Sequence, residues 1–253
     1  MKLAVIVPMF NEAKAIRATL HALSHQSTHE FVAVFCDNNS TDNTAQIVSE
    51  YISTQDLPWF VVHENAKGTG RAADAAARAA IRVGATHLAR TDADCLPSKN
   101  WVAHIIEQFE NTELEMIAGL SLPRTDDAKI SPVRYSTLFL ANELAIAFGK
   151  CRKSNRGPEF LGPYMMTSGN NLAISTNLYQ KVGGFAHTSI EEAHEDRLLI
   201  MAVRRVTNAY RFDRSMRVFA SARRIQKWGV VNSLRWYAGH LYRPETVAEV
   251  DVR

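Results

Sequence analysis

The sequence predicts an α/β domain built on a mostly parallel central sheet flanked by helices. Three observations carry that prediction. Short apolar runs alternate with amphipathic stretches four times before Asp92. Each run ends in a polar turn, as parallel strands do where they leave a sheet. The remainder of the chain holds neither linker nor internal repeat, so residues 1–253 read as one domain.

Leu3 to Val7 is an apolar run closed by Pro8 and reads as a buried parallel strand. Asn11 is placed as the cap of a helix carrying Ile16, Leu20 and Leu23 on one face. Phe31 to Cys36 forms the second strand, followed by the polar turn Asp37-Asn38-Asn39-Ser40-Thr41-Asp42. The next helix turns Ile47, Val48, Tyr51 and Ile52 inward, and Trp59 to His63 is the third strand. Gly68-Thr69-Gly70 opens an alanine-rich helix through Ile81, whose small side chains let it lie close to a sheet. Thr86 to Thr91 is the fourth strand and runs into Asp92-Ala93-Asp94.

The second half is less periodic. Ser98 is read as the cap of a helix containing Trp101, Ile105, Ile106 and Phe109, and Met116 to Leu122 as a strand. Val133 to Phe148 reads as a long helix and Cys151 to Pro163 as a basic loop. Met165 to Ile174 is strand-like, Gly183-Gly184 ends a short helix, and Glu191 to Val206 forms another.

Composition narrows the function. At 46% hydrophobic and 22% charged residues the chain is ordinary globular protein. A net charge of +3 is too small to argue for nucleic acid. Three scattered cysteines fit a reducing cytoplasm rather than a disulfide framework. The apolar N-terminus is too short for a signal peptide or span, so the expectation is a cytoplasmic protein whose membrane contact, if any, is peripheral at the inner face.

In a doubly wound sheet, ligands bind beyond the carboxyl ends of the strands, where all four polar turns lie. Asp92 and Asp94 stand two residues apart after an apolar strand, which puts both carboxylates on one side of an extended backbone. Such a pair repels itself unless a cation intervenes, and hard oxygen ligands favour Mg2+ or Mn2+ with substrate phosphates. The competing reading is a solvated turn.

Val5-Ile6-Val7-Pro8-Met9-Phe10-Asn11-Glu12, the Asp37–Asp42 turn, Asp92-Ala93-Asp94, Gly169-Asn170-Asn171 with Gly183-Gly184-Phe185, and Glu195-Asp196 occur in this order. Together they resemble the family-2 inverting glycosyltransferases of the GT-A, Rossmann-like fold. The resemblance implies a donor half, residues 1–122, that binds a nucleotide-diphosphate-sugar. Residues 123–253 would supply the acceptor half and C-terminal helices. It places Pro8, Asn11 and Glu12 along the nucleotide pocket and Asp37 and Asn38 near base and ribose. Lys67, Gly68 and Arg71 would run along the nucleotide and diphosphate. Asp92 would face ribose or sugar and assist Asp94, which would hold the Mn2+ or Mg2+. Asp196 becomes the general base that takes a proton from a hydroxyl acceptor, lipid-linked or glycan, with Glu195 the runner-up.

Two departures stand out. Asn38 replaces a second aspartate common in the family, which leaves base identity open. The stretch Val218-Phe219-Ala220-Ser221-Ala222-Arg223-Arg224 lacks the family's metal-binding histidine. Arg223 and Arg224 either grip the diphosphate or form a solvated basic turn. Two other functions compete: a degenerate nucleotide-sugar sensor, and a sugar nucleotidyltransferase, against which the absence of a glycine-rich loop after the first strand argues. The aromatic stretch Trp228 to Tyr237, with Lys227, Arg235 and Arg243, reads either as a membrane-interface patch or as packing on the domain or a dimer.

Overall fold

The computed structural model describes residues 1–127, 131–187, 194–223, 226–229 and 232. The four apolar runs are strands β1 (Leu3–Met9), β2 (Phe31–Asp37), β3 (Trp59–His63) and β4 (His87–Arg90), all paired in parallel. Helices α1 (Ile16–Ser24), α2 (Thr44–Ser53) and α3 (Thr69–Arg82) connect them. Then follow β5 (Leu96–Pro97), α4 (Trp101–Asn111), β6 (Met116–Pro123) and α5 (Pro132–Cys151). The chain continues through β7 (Leu172–Ser175), α6 (Thr176–Lys181), α7 (Glu195–Val206) and β8 (Tyr210–Ala220).

The eight-stranded sheet runs β3-β2-β1-β4-β7-β6-β8-β5. β2 and β3 lie on one side of β1 and β4 on the other, so the connections diverge there. The loops after β1 and β4 open a crevice at that switch point. β6 and β8 pair in parallel, whereas β7 runs antiparallel to β4 and β6, and β5 antiparallel to β8. The sheet is therefore parallel in its first half and mixed in its second.

Two apolar layers sandwich it. On one face the alanines of α3 pack with Leu178 and Tyr179 of α6 and Leu199, Ile200 and Val203 of α7. On the other, Ile16, Leu20 and Leu23 of α1 join Val48 of α2 and Trp101, Val102 and Ile105 of α4. The β6–β8 register breaks between Gly119 and Leu120. A Cβ at Gly119 would meet the Met216 carbonyl oxygen at 2.2 Å, so only glycine fits there. Asn171, fully buried, stitches the break: its Nδ2 donates to the carbonyls of Leu120 and Met216, both at 3.0 Å. Its Oδ1 accepts from Trp101 Nε1 at 2.9 Å.

Several boundaries differ from the sequence reading. β1 runs through Pro8 to Met9; β4 stops accompanying β1 at Ile6, so the missing Pro8 N–H falls on an open side of the strand. Asn11 does not cap α1, which starts at Ile16 with Ala15 before it. Asn11 instead sits at φ 53° and its Oδ1 accepts from the Thr41 N–H at 2.8 Å, tying the first loop to the second. Ser98 offers α4 its carbonyl, not its hydroxyl, at Trp101 N–H. α5 is longer than expected and takes in Lys150 and Cys151, and β7 is shorter. α7 starts at Glu195; Glu191 and Glu192 lie outside the described residues, as do Arg224 and most of the C-terminal aromatic stretch. Trp228 is buried, so it does not face a membrane.

Candidate active site

The crevice gathers its charged residues from four loops. After β1, Glu12 is buried and its N–H donates to Thr44 Oγ1 at 2.7 Å, which anchors the loop to α2. After β2, Asp37 is buried with Oδ2 3.6 Å from His63 Nδ1, while its Oδ1 has no partner among the described residues. A buried carboxylate oxygen left without a donor is costly, and at a crevice it marks a place for a ligand group. Asn38 differs. Its Nδ2 donates to the carbonyls of Glu64 and Ala66 at 2.7 and 2.8 Å, and its Oδ1 accepts from Gly68 N–H at 2.8 Å. Its side chain therefore holds the 64–68 loop in shape rather than reaching toward a base. An aspartate there would lose both donations.

That loop carries Lys67, whose ammonium lies 5.5 Å from the Phe10 ring centre, and Gly68, at φ 146° ahead of α3. Only glycine adopts this backbone readily. Gly70 is pressed against the chain ahead of α7, since an added Cβ would come within 2.1 Å of the Ala186 carbonyl oxygen. Arg71 follows, half-buried in the first turn of the same helix.

The Asp92–Asp94 turn is the hub. Arg90, in the last position of β4 and 1% exposed, donates from Nε to Asp92 Oδ1 at 3.2 Å, and its Nη2 lies 2.9 Å from Glu195 Oε1. Burial holds the Asp92 carboxyl up at about 6, against the pull of Arg90 and with the push of Asp94. Asp94 Oδ2 accepts from Arg223 Nη2 at 3.1 Å. The same nitrogen lies 2.8 Å from both carboxylate oxygens of Glu12. Burial, with the nearby Asp94 charge, raises the Glu12 carboxyl to about 7. Arg124 Nη1 pins the turn from below by donating to the Asp94 carbonyl at 2.9 Å.

Asp196 and Glu195 open α7 but face different surroundings. Glu195 is buried against Arg90. Asp196 is partly exposed; its Oδ2 accepts from Gly169 N–H at 2.8 Å and its Oδ1 from Arg197 N–H at 2.6 Å. Burial, with Glu195 alongside, raises its carboxyl to about 6.

Arg223 thus joins Glu12 to Asp94 and Arg90 joins Asp92 to Glu195, two ion clusters that meet at the Asp92–Asp94 turn, with Asp196 next to Glu195. Pro8 lies buried at the end of β1, and Arg71 and Lys67 stand apart from these clusters. Arg90 and Arg124 are absent from the sequence reading. The available signal was an arginine at the end of an otherwise apolar strand, two residues before Asp92 and therefore on the same side of it.

A parallel-strand switch point with an acidic edge defines the class, an α/β domain of the GT-A type. The family follows: residues 4–181 match the model described as Glycosyl transferase family 2, and the chain belongs to that family. Similar sequences include the glycosyltransferase AglE of Haloferax volcanii, 24% identical over 118 residues that make up 46% of this chain and 38% of AglE. Another is the poly(ribitol-phosphate) β-N-acetylglucosaminyltransferase TarS of Staphylococcus aureus, 38% identical over 73 residues, 28% of this chain and 13% of TarS. The chain thus matches well under half the length of either relative. In three dimensions it is similar to S. aureus TarS 1-349 in complex with UDP-GlcNAc (TM-score 0.62, 18% identity, 87% of this chain and 58% of that one). It is also similar to the mannosyltransferase PcManGT from Pyrobaculum calidifontis in complex with GDP-Man and Mn2+ (TM-score 0.65, 20% identity, 98% and 66%).

Proposed function

We propose that this protein moves a sugar from a nucleotide-diphosphate-sugar to a hydroxyl acceptor with inversion, using a divalent metal and Asp196 as general base. The observation that carries the reading is the division of labour between the two acids of α7. Glu195 is neutralised by Arg90, whereas Asp196 stays partly open, oriented by two backbone N–H groups. A carboxyl raised to about 6 is ionised at neutral pH yet basic enough to accept a proton. UDP-GlcNAc and GDP-Man in the similar structures support a nucleotide-sugar donor here. Residues 1–122 form the donor half and residues 123–253 the acceptor half.

Among the described residues no three histidines, cysteines or acids converge as a ready metal site. Asp94, assisted by Asp92, still suits a hard cation that completes its shell with diphosphate oxygens and water, either Mn2+ or Mg2+. Such a cation would stabilise charge on the departing diphosphate. Asp37, Lys67, Gly68 and Arg71 line the approach, and the first turn of α3 presents N–H groups to an anion. Asp94→Ala is expected to abolish metal-dependent nucleotide binding and transfer together, whereas Asp196→Asn is expected to abolish transfer alone. Full activity in Asp196→Asn removes it as base, and donor binding without turnover in the wild type favours a sensor.

The acceptor reading includes a membrane. No helix of the described residues is long and apolar enough to cross one. On α5, however, Val133, Leu140, Leu144 and Phe148 share a stripe and are 59–78% exposed. Exposed Lys150, Arg152, Lys153 and Arg156 stand at its end, the combination that suits an anionic lipid surface. Co-sedimentation with phosphatidylglycerol vesicles is expected for the wild type and is expected to be lost in Leu144→Glu/Phe148→Glu. A wild-type protein that stays in the supernatant excludes this contact.

A further inference from the structure

We propose that Arg223 is a built-in counter-cation for Glu12 and Asp94, and that a metal ion with a nucleoside diphosphate takes Asp94 from it. The inference rests on the reading of Asp94 as the metal carboxylate. It starts from an arithmetic of charge. Arg90 pairs Asp92 and Glu195, and among the described residues the ion pairs of Glu12 and Asp94 both go to Arg223, so each guanidinium faces two carboxylates. One guanidinium nitrogen serves three carboxylate oxygens, at 2.8, 2.8 and 3.1 Å.

The fixed and movable members of this trio can be told apart. The backbone of Glu12 is held through its N–H by Thr44 Oγ1, and that of Asp94 through its carbonyl by Arg124, so both carboxylates project from anchored turns. Arg223 is a long side chain that, among the described residues, otherwise bonds only Ser221 Oγ, through Nε at 2.9 Å within its own turn. Its side chain is 31% exposed, against 8% for Glu12 and 21% for Asp94. A divalent cation on Asp94 Oδ2 would stand within a few ångströms of the guanidinium, and like charges at that distance in a partly buried site repel strongly. Metal and Arg223 are therefore alternative occupants of that oxygen. The metal gains by arriving with a diphosphate, because two phosphate oxygens can pair bidentately with the planar guanidinium it releases. The consequence is coupling: the metal binds weakly alone and tightly with nucleotide, and Arg223 sets part of the difference.

The test is Mn2+ binding to the full chain, read from the electron paramagnetic resonance of free Mn2+, with and without UDP or GDP. Arg223→Met is expected to bind Mn2+ alone about 10-fold more tightly than wild type, and its gain from added nucleotide to shrink by a similar factor. Arg223→Met leaves Glu12 buried without its partner, so Arg223→Met/Glu12→Gln, which removes both charges, serves as the folding-safe variant and is expected to show the same shrinkage. Wild-type affinity for Mn2+ alone in both variants, with coupling unchanged, overturns the proposal. A different result strikes the underlying reading: if Asp94→Ala leaves Mn2+ binding with nucleotide intact, Asp94 is not the metal carboxylate and the proposal falls with it.

Discussion

At Asp196, the N–H groups of Gly169 and Arg197 aim a carboxylate that burial has made more basic than a surface aspartate. With Asp196 in the proposed role of base, the rate is predicted to fall about tenfold per pH unit below about 6, as its carboxylate becomes protonated. Asp196→Asn is predicted to lower kcat by about 10²- to 10⁴-fold and to leave donor affinity unchanged, checked by calorimetry beside turnover. Much of this scale was legible in the sequence, because Asp92, Asp94, Glu195 and Asp196 sit in short motifs at strand and helix ends. What was not legible is how each acid is neutralised. Arg90 and Arg124 belong to no motif, and Glu195 and the Asp94 carbonyl that they reach lie far from them in the chain. Asn38 shows the converse: the residue type was read correctly as a departure, yet its three backbone bonds depend on how the 64–68 loop folds back.

Among the elements, β6 and β8 are joined across a register break that Asn171 fills with three hydrogen bonds. Asn171→Ala would leave a buried indole N–H and two buried carbonyls without partners, so a loss of roughly 3 kcal/mol or more is predicted from urea unfolding. Asn171→Ala with wild-type stability would show that water replaces the amide. The strands β1 to β4 were legible because buried parallel strands leave continuous apolar runs, and α3 because an alanine-rich run follows Gly68-Thr69-Gly70. The start of α1 was not, since Asn11 has the residue type of a cap but its side chain bonds Thr41. β5 was missed because a two-residue strand has no periodicity.

For the whole molecule, the acidic edge sets a balance between stability and function. Glu12 and Asp196 have folded values of about 7 and 6, above those of an unfolded chain. Their stabilisation is therefore complete below about pH 4 and is lost as pH rises through 6 to 7. Asp42, Asp126 and Asp213 are shifted down by hydrogen bonds and ion pairs, and their contribution is lost on acidification instead. From these groups the ligand-free Tm is predicted to peak near pH 4 and to fall up to about pH 7, less steeply once Mn2+ and UDP or GDP are added. A Tm that rises from pH 4 to 7 without ligand contradicts this. The sheet order was not legible: the alternation implies parallel pairing for the first four strands, but the antiparallel insertion of β7 and the return of β8 depend on long-range contacts. Sugar transfer from a nucleotide donor is tested most directly by nucleoside-diphosphate release from a panel of UDP- and GDP-sugars with Mn2+. The expected result is release from at least one donor that EDTA stops and that Asp196→Asn lacks while still binding that donor. Release that persists undiminished in Asp196→Asn, or binding with no release from any donor, would contradict it.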